Sequence, residues 1–118
     1  MARYFSKEEF DQGLDQDRIK MVLNNLYKEE DVKPDHEFSI EFFMMSDDIE
    51  KLDEMEEILE GMGMDIDGSE TYEDGAELIA ISEPMKMDFD TVSAWCQKMW
   101  VEGYKLDCKF DGWHVLVD

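Results

Sequence analysis

Two cysteines, Cys96 and Cys108, and two histidines, His36 and His114, are the donors this 118-residue chain could offer a zinc ion. A structural zinc site takes such donors in close pairs of the C-x-x-C kind, so that one short loop presents two ligands together. No such pair occurs, and the thiols read as reduced core residues with His114 at the surface. The run Asp65-Ile66-Asp67-Gly68-Ser69 opens like a calcium loop, but from Asp65 as position one it lacks glycine at six and glutamate at twelve, where Ala76 stands. Neighbouring carboxylates can do acid–base work, yet with 32 Asp and Glu their adjacency is expected without catalysis. There is no phosphate-binding or dinucleotide fingerprint and no basic aromatic stretch for RNA. We therefore expect no metal, no cofactor, no direct nucleic-acid contact and no enzyme.

What remains is charge, and it is regional. Seventeen of the acids lie between Ser46 and Asp90, opposed there only by Lys51 and Lys86, in a chain of net charge −21. Such a field destabilises the fold by self-repulsion, repels nucleic acid and anionic membrane, and accelerates encounter with basic partners at low salt. It points to a binder of something positive, although an acidic surface also serves solubility alone. Hydrophobic content of 43% with three Trp, four Tyr and seven Phe is too high for a disordered acidic tail.

The elements that must carry this charge follow from periodicity. Ser6 and Glu9 have capping-box spacing, and Ile19, Val22, Leu23, Leu26 and Tyr27 recur as one face of a helix running from Asp15 to near Asp31. Phe38, Ile40, Phe42 and Met44 alternate as a well-buried strand. Ser46 is placed to cap a second helix with Ile49, Leu52, Met55, Leu59 and Met62 on one side. Glu50, Asp53, Glu54, Glu57 and Glu60 then fall on the opposite side, several as mutually repulsive i,i+3 or i,i+4 pairs. A hairpin follows, with Met64-Asp65-Ile66 and Ala76 to Ile81 as strands and a turn at Glu73-Asp74-Gly75. Asp88 begins a third helix, with Val92, Trp95, Cys96, Met99 and Trp100 inward, closing at Gly103. Tyr104 to Phe110 reads as a final strand beside the first, close enough for Lys105 or Lys109 to approach Glu41, and Asp111-Gly112 as a turn into a further short strand.

That order predicts an α+β, ferredoxin-like βαββαβ antiparallel sheet with an additional N-terminal helix. One domain spans residues 1–118, with 1–14 as a loosely packed extension. The start of the chain has no apolar stretch of signal-peptide length and no run long enough to span a membrane, so the expected location is the cytoplasm. Ten methionines, among them Met44-Met45, Met62, Met64, Met85 and Met87, either plug an irregular core or form an adaptable surface.

The run Phe110-Asp111-Gly112-Trp113 resembles the closing motif of the regulator of ribonuclease activity B family, and looser agreement of pattern extends over residues 15 to 113. The resemblance implies a ferredoxin-like fold and a non-enzymatic inhibitor of the endoribonuclease RNase E, acting through the enzyme's non-catalytic scaffold region. Characterised members carry a strongly acidic C-terminal tail, whereas here the acids lie within the domain. The expected partner is thus a basic protein segment, contacted by Glu50, Asp53, Glu54, Glu57, Glu60, Asp65, Asp67 and Trp113. The competing reading is an immunity or antitoxin-like protein that neutralises a basic nuclease. No catalytic residues come with the family, and Asp111, Gly112 and Trp113 serve equally as turn and core lid.

Overall fold

Helices form wherever apolar residues recur at helical spacing behind an N-cap side chain, and the computed structural model, which describes residues 3–117, shows four of them among those residues. The first, α1 (Lys7–Gln12), opens on a complete capping box between Ser6 and Glu9. Asp15 caps α2 (Gln16–Glu29) by accepting from the Arg18 amide, and Asp88 caps α4 (Phe89–Lys105) by accepting from that of Thr91. Asp48, rather than Ser46, caps α3 (Ile49–Gly61). Ser46 is instead the last, buried residue of a strand, and its hydroxyl donates to the Asp107 carbonyl oxygen at 2.9 Å.

Among the described residues six strands form two antiparallel sheets. β1 (Glu37–Phe38) pairs with β5 (Met85–Lys86), and β2 (Ile40–Ser46), β3 (Asp65–Tyr72), β4 (Gly75–Ile81) and β6 (Lys109–Val115) form a four-stranded sheet ordered β3-β4-β2-β6. The architecture is mixed α+β, with more strands than a simple βαββαβ series. One face of the larger sheet carries Ile40, Phe42, Met44, Leu78 and Ala80, packed with Leu52, Met55 and Leu59 of α3 and Val92, Cys96 and Met99 of α4 into a single core. Burying each such side chain contributes on the order of 1.5–3 kcal/mol. Phe5, fully buried, brings the N-terminal segment into that core through edge contacts with Phe10, Trp100 and Tyr104.

The C-terminal part departs from expectation in a connected way. α4 does not close at Gly103 but runs to Lys105, and the strand starts at Lys109 rather than Tyr104. Gly103 instead permits a close approach: a Cβ there would lie 2.4 Å from the Cys108 carbonyl oxygen and 2.7 Å from Met44 Cε. The left-handed residue that turns the chain is Asp107, at φ 59°. Asp111-Gly112 is no turn. Phe43 pairs with Gly112 and Met44 with Phe110, so Asp111 is the extra residue of a β-bulge inside β6. β6 does neighbour β2 antiparallel, but Glu41 faces His114, and Lys109 reaches Glu9 at 2.5 Å instead. The calcium-like run lies in β3, where the register shifts between Ile66 and Gly68. Met44, Met55, Met64, Met85, Met87 and Met99 are buried, which fits the core-filling reading for most of the methionines.

Candidate protein-binding site

The helical period of α3 buries Leu52, Met55 and Leu59 and thereby turns Glu50, Asp53, Glu54, Glu57 and Glu60 to solvent. Asp65 and Asp67 are exposed on β3, but Asp65 pairs with Ile81 and so points to the sheet face opposite α3, which leaves the five carboxylates of α3 as the group that shares one face. Lys51, the one base of α3, does not neutralise them. Its ammonium donates to Asp47 Oδ1 at 2.8 Å and to Asp107 Oδ2 at 2.7 Å, and these bonds, that to Asp107 foremost, raise its pKa above the ordinary lysine value. The acidic face therefore projects an uncompensated field.

Asp107, which sequence reasoning passed over, is the knot of the fold. Its carboxylate accepts from the Tyr4 and Phe5 amides at 3.0 and 2.8 Å and from Lys51, and Arg3 Nε lies 3.6 Å away. Burial pushes its pKa up, but the Lys51 bond and the two amides outweigh burial and hold the carboxyl below the usual carboxylate range. Its partners are 56 and 102 to 103 residues away in the chain, so no local signal announced them.

Trp113 stands apart from the acidic helix. On β6, the sheet edge opposite β3, it pairs with Phe42 of β2 and lines a cleft of about 380 Å³ between that edge and the start of α2. Leu14, Ile19, Val22, Phe43 and Phe110 supply apolar wall, while Asp15, Arg18 and Asp111 bring charge. Gly112 also lines the cleft, and a Cβ there would meet nothing within 4 Å. The glycine thus leaves open the space in front of Phe43, its cross-strand neighbour. The sequence singled out Asp111, Gly112 and Trp113, but as a turn; the cleft depends on α2, whose placement periodicity does not fix.

Neither thiol is poised to react. Burial pushes both Cys96 and Cys108 up to about 12, so each remains protonated at neutral pH. Among the described residues no group of three or more His, Cys, Asp or Glu is arranged to hold a metal ion, and no helix is long and apolar enough to cross a membrane.

An acidic α+β domain with a charged helix face at one side and an apolar cleft at the other is the class these features define. The chain belongs to the regulator of ribonuclease activity B family, whose sequence model matches residues 16–115. Membership implies regulation of ribonuclease activity by a family that is not catalytic. A search of curated proteins gives no match.

Proposed function

We propose that this protein is a non-enzymatic cytoplasmic regulator that binds a basic segment of an endoribonuclease of the RNase E type, in its non-catalytic scaffold region, and lowers its activity. The observation that carries this reading is the acidic face of α3. Five exposed carboxylates, from Glu50 to Glu60, share that face, with Asp65 and Asp67 exposed on the neighbouring strand β3, while Lys51 is occupied by Asp47 and Asp107. A basic, extended polypeptide is the natural complement of such a field, and Trp113 is the aromatic contact on the cleft side. Family membership favours this reading over an immunity protein. The strand order β3-β4-β2-β6, with α3 and α4 over one face, supports reading the central unit as ferredoxin-like, with α1, α2 and the β1–β5 pair added to it.

Surface-binding kinetics against the scaffold region of the host ribonuclease, run beside RNA cleavage with and without this protein, test the proposal. The wild type is expected to bind and to slow cleavage, and failure of both sinks it. Glu54→Lys with Glu57→Lys should slow association severalfold and flatten its salt dependence, with little change in dissociation. Unaltered kinetics in that double variant would make the α3 face a solvated surface only.

A further inference from the structure

Among the described residues, helices α3 and α4 cover one face of the four-stranded sheet. On its other face the cross-strand neighbours Phe43 and Ile79, with Met45 and Ile81 beside them, are only partly buried, and none of the four joins the core. Side chains paired across strands point to the same face, so these residues form an apolar band over β2 and β4. Carboxylates border the band: Glu41 pairs with Ile81, and Glu77 pairs with Met45 on one side and with Glu70 on the other. Burial pushes the Glu77 carboxyl up, and the charges of Asp111 and Glu70 push it further, as in a cluster short of cations. Lys109, in the same row, is taken by Glu9.

This band and the cleft are one surface. Phe43 belongs to both, because Gly112 has no side chain to separate them, and Asp111 serves both as cleft rim and as neighbour of the Glu77 charge. Volume and apolar walls suit the cleft to an anchoring side chain, since binding energy concentrates where such a chain fills a desolvated pocket. A second copy of this chain is a poor occupant: face-to-face pairing would set Glu41, Glu70 and Glu77 against their own equivalents in a molecule of net charge −21. A segment that alternates apolar and basic residues satisfies both the band and its border.

We propose that the open sheet face and the α2–β6 cleft together seat an amphipathic basic segment of a partner protein. One aromatic or leucine-sized side chain enters the cleft beside Trp113, its neighbours cover Phe43 and Ile79, and Lys or Arg residues meet Glu77, Glu70 and Asp111. This rests on the regulatory reading above and deepens it, giving α3 the long-range attraction and this surface the contact.

The test uses the full chain, 15N-labelled, titrated with a synthetic 15-residue peptide of lysines and arginines around a Phe-Leu pair, and with a control in which both apolar residues are serine. Amide shifts are expected at Phe43, Ile79, Gly112 and Trp113, with the serine control at least about tenfold weaker. Gly112→Leu fills the cleft from a position with open space around it and should weaken the peptide at least about tenfold while the melting temperature holds. Should that variant lose stability, Ile79→Lys carries the same test from the partly buried band. Shifts confined to α3, equal binding of the serine control, absence of peptide binding, or self-association through this face on ultracentrifugation would each overturn the proposal. Peptide binding here without any effect on the ribonuclease overturns the regulatory reading alone. Binding of the ribonuclease scaffold that Ile79→Lys and Gly112→Leu leave unchanged overturns this one alone.

Discussion

The acidic face of α3 and the β6 side of the sheet differ in what holds them. On α3, Glu50 to Glu60 point outward with no protein partner among the ion pairs of the described residues, so the face has charge but little shape. On the β6 side, Gly103 and Asp107 are each committed to specific close contacts, and the bulge at Asp111 lines the cleft between β6 and α2. A solvated charge acts at range and tolerates replacement, whereas a packed seam acts at contact and does not. The two regions should therefore respond oppositely to substitution.

The largest contrast is expected at Gly103. A methyl group there must displace the Cys108 carbonyl or Met44, so Gly103→Ala should lower stability by about 2 kcal/mol, as overpacking commonly does. Urea denaturation measures it, and a loss below half that figure would mean that the seam is looser than its contacts imply.

Asp107 comes next. Asn accepts the left-handed backbone, so Asp107→Asn tests the charge itself; we expect a loss of roughly 1.5–2 kcal/mol at pH 7 from its charge-assisted bonds. The folded pKa lies below the ordinary aspartate value of 3.8, so the wild-type contribution is present in full above that value. It fades as pH falls through the lower, folded pKa. Denaturation at pH 7 and at pH 3 or below should thus show the gap between variant and wild type narrowing in acid; a constant gap would assign the effect to packing.

On α3 the sign reverses. Replacing Glu54 and Glu57 with Lys relieves like-charge pairs and should leave stability unchanged or raise it by several tenths of a kcal/mol at low salt, less at moderate salt. A loss above about 2 kcal/mol would reveal paired carboxylates and erase the comparison.

The smallest effect is expected at Glu77, whose raised pKa marks a carboxylate less favourable in the fold than in the unfolded chain. Its penalty is absent at acid pH and grows as pH rises through the folded pKa. Glu77→Gln should consequently raise the melting temperature slightly at pH 7 and not at pH 3. An equal gain at both would trace the effect to something other than charge.

Periodicity alone placed the acids of α3 opposite Leu52, Met55 and Leu59, because a helix turns a one-dimensional spacing into two faces without help from the rest of the chain. The same holds for the caps at Ser6 and Asp88, which act within three residues. The cap of α3 was misread because Ser46 and Asp48 are both competent, and the choice fell to a hydroxyl bond between Ser46 and Asp107, 61 residues on. Nor could spacing tell a turn at Asp111-Gly112 from a bulge, since both suit a glycine and only pairing with Phe43 distinguishes them. Local pattern thus determined the helices, the position of the charge and most of the strands. Tertiary structure decided where β6 begins, that Asp107 binds the N-terminal segment, and that α2 lies against β6 to make a cleft. Those outcomes rest on contacts between residues far apart in sequence, whose energies appear only when the chain is folded.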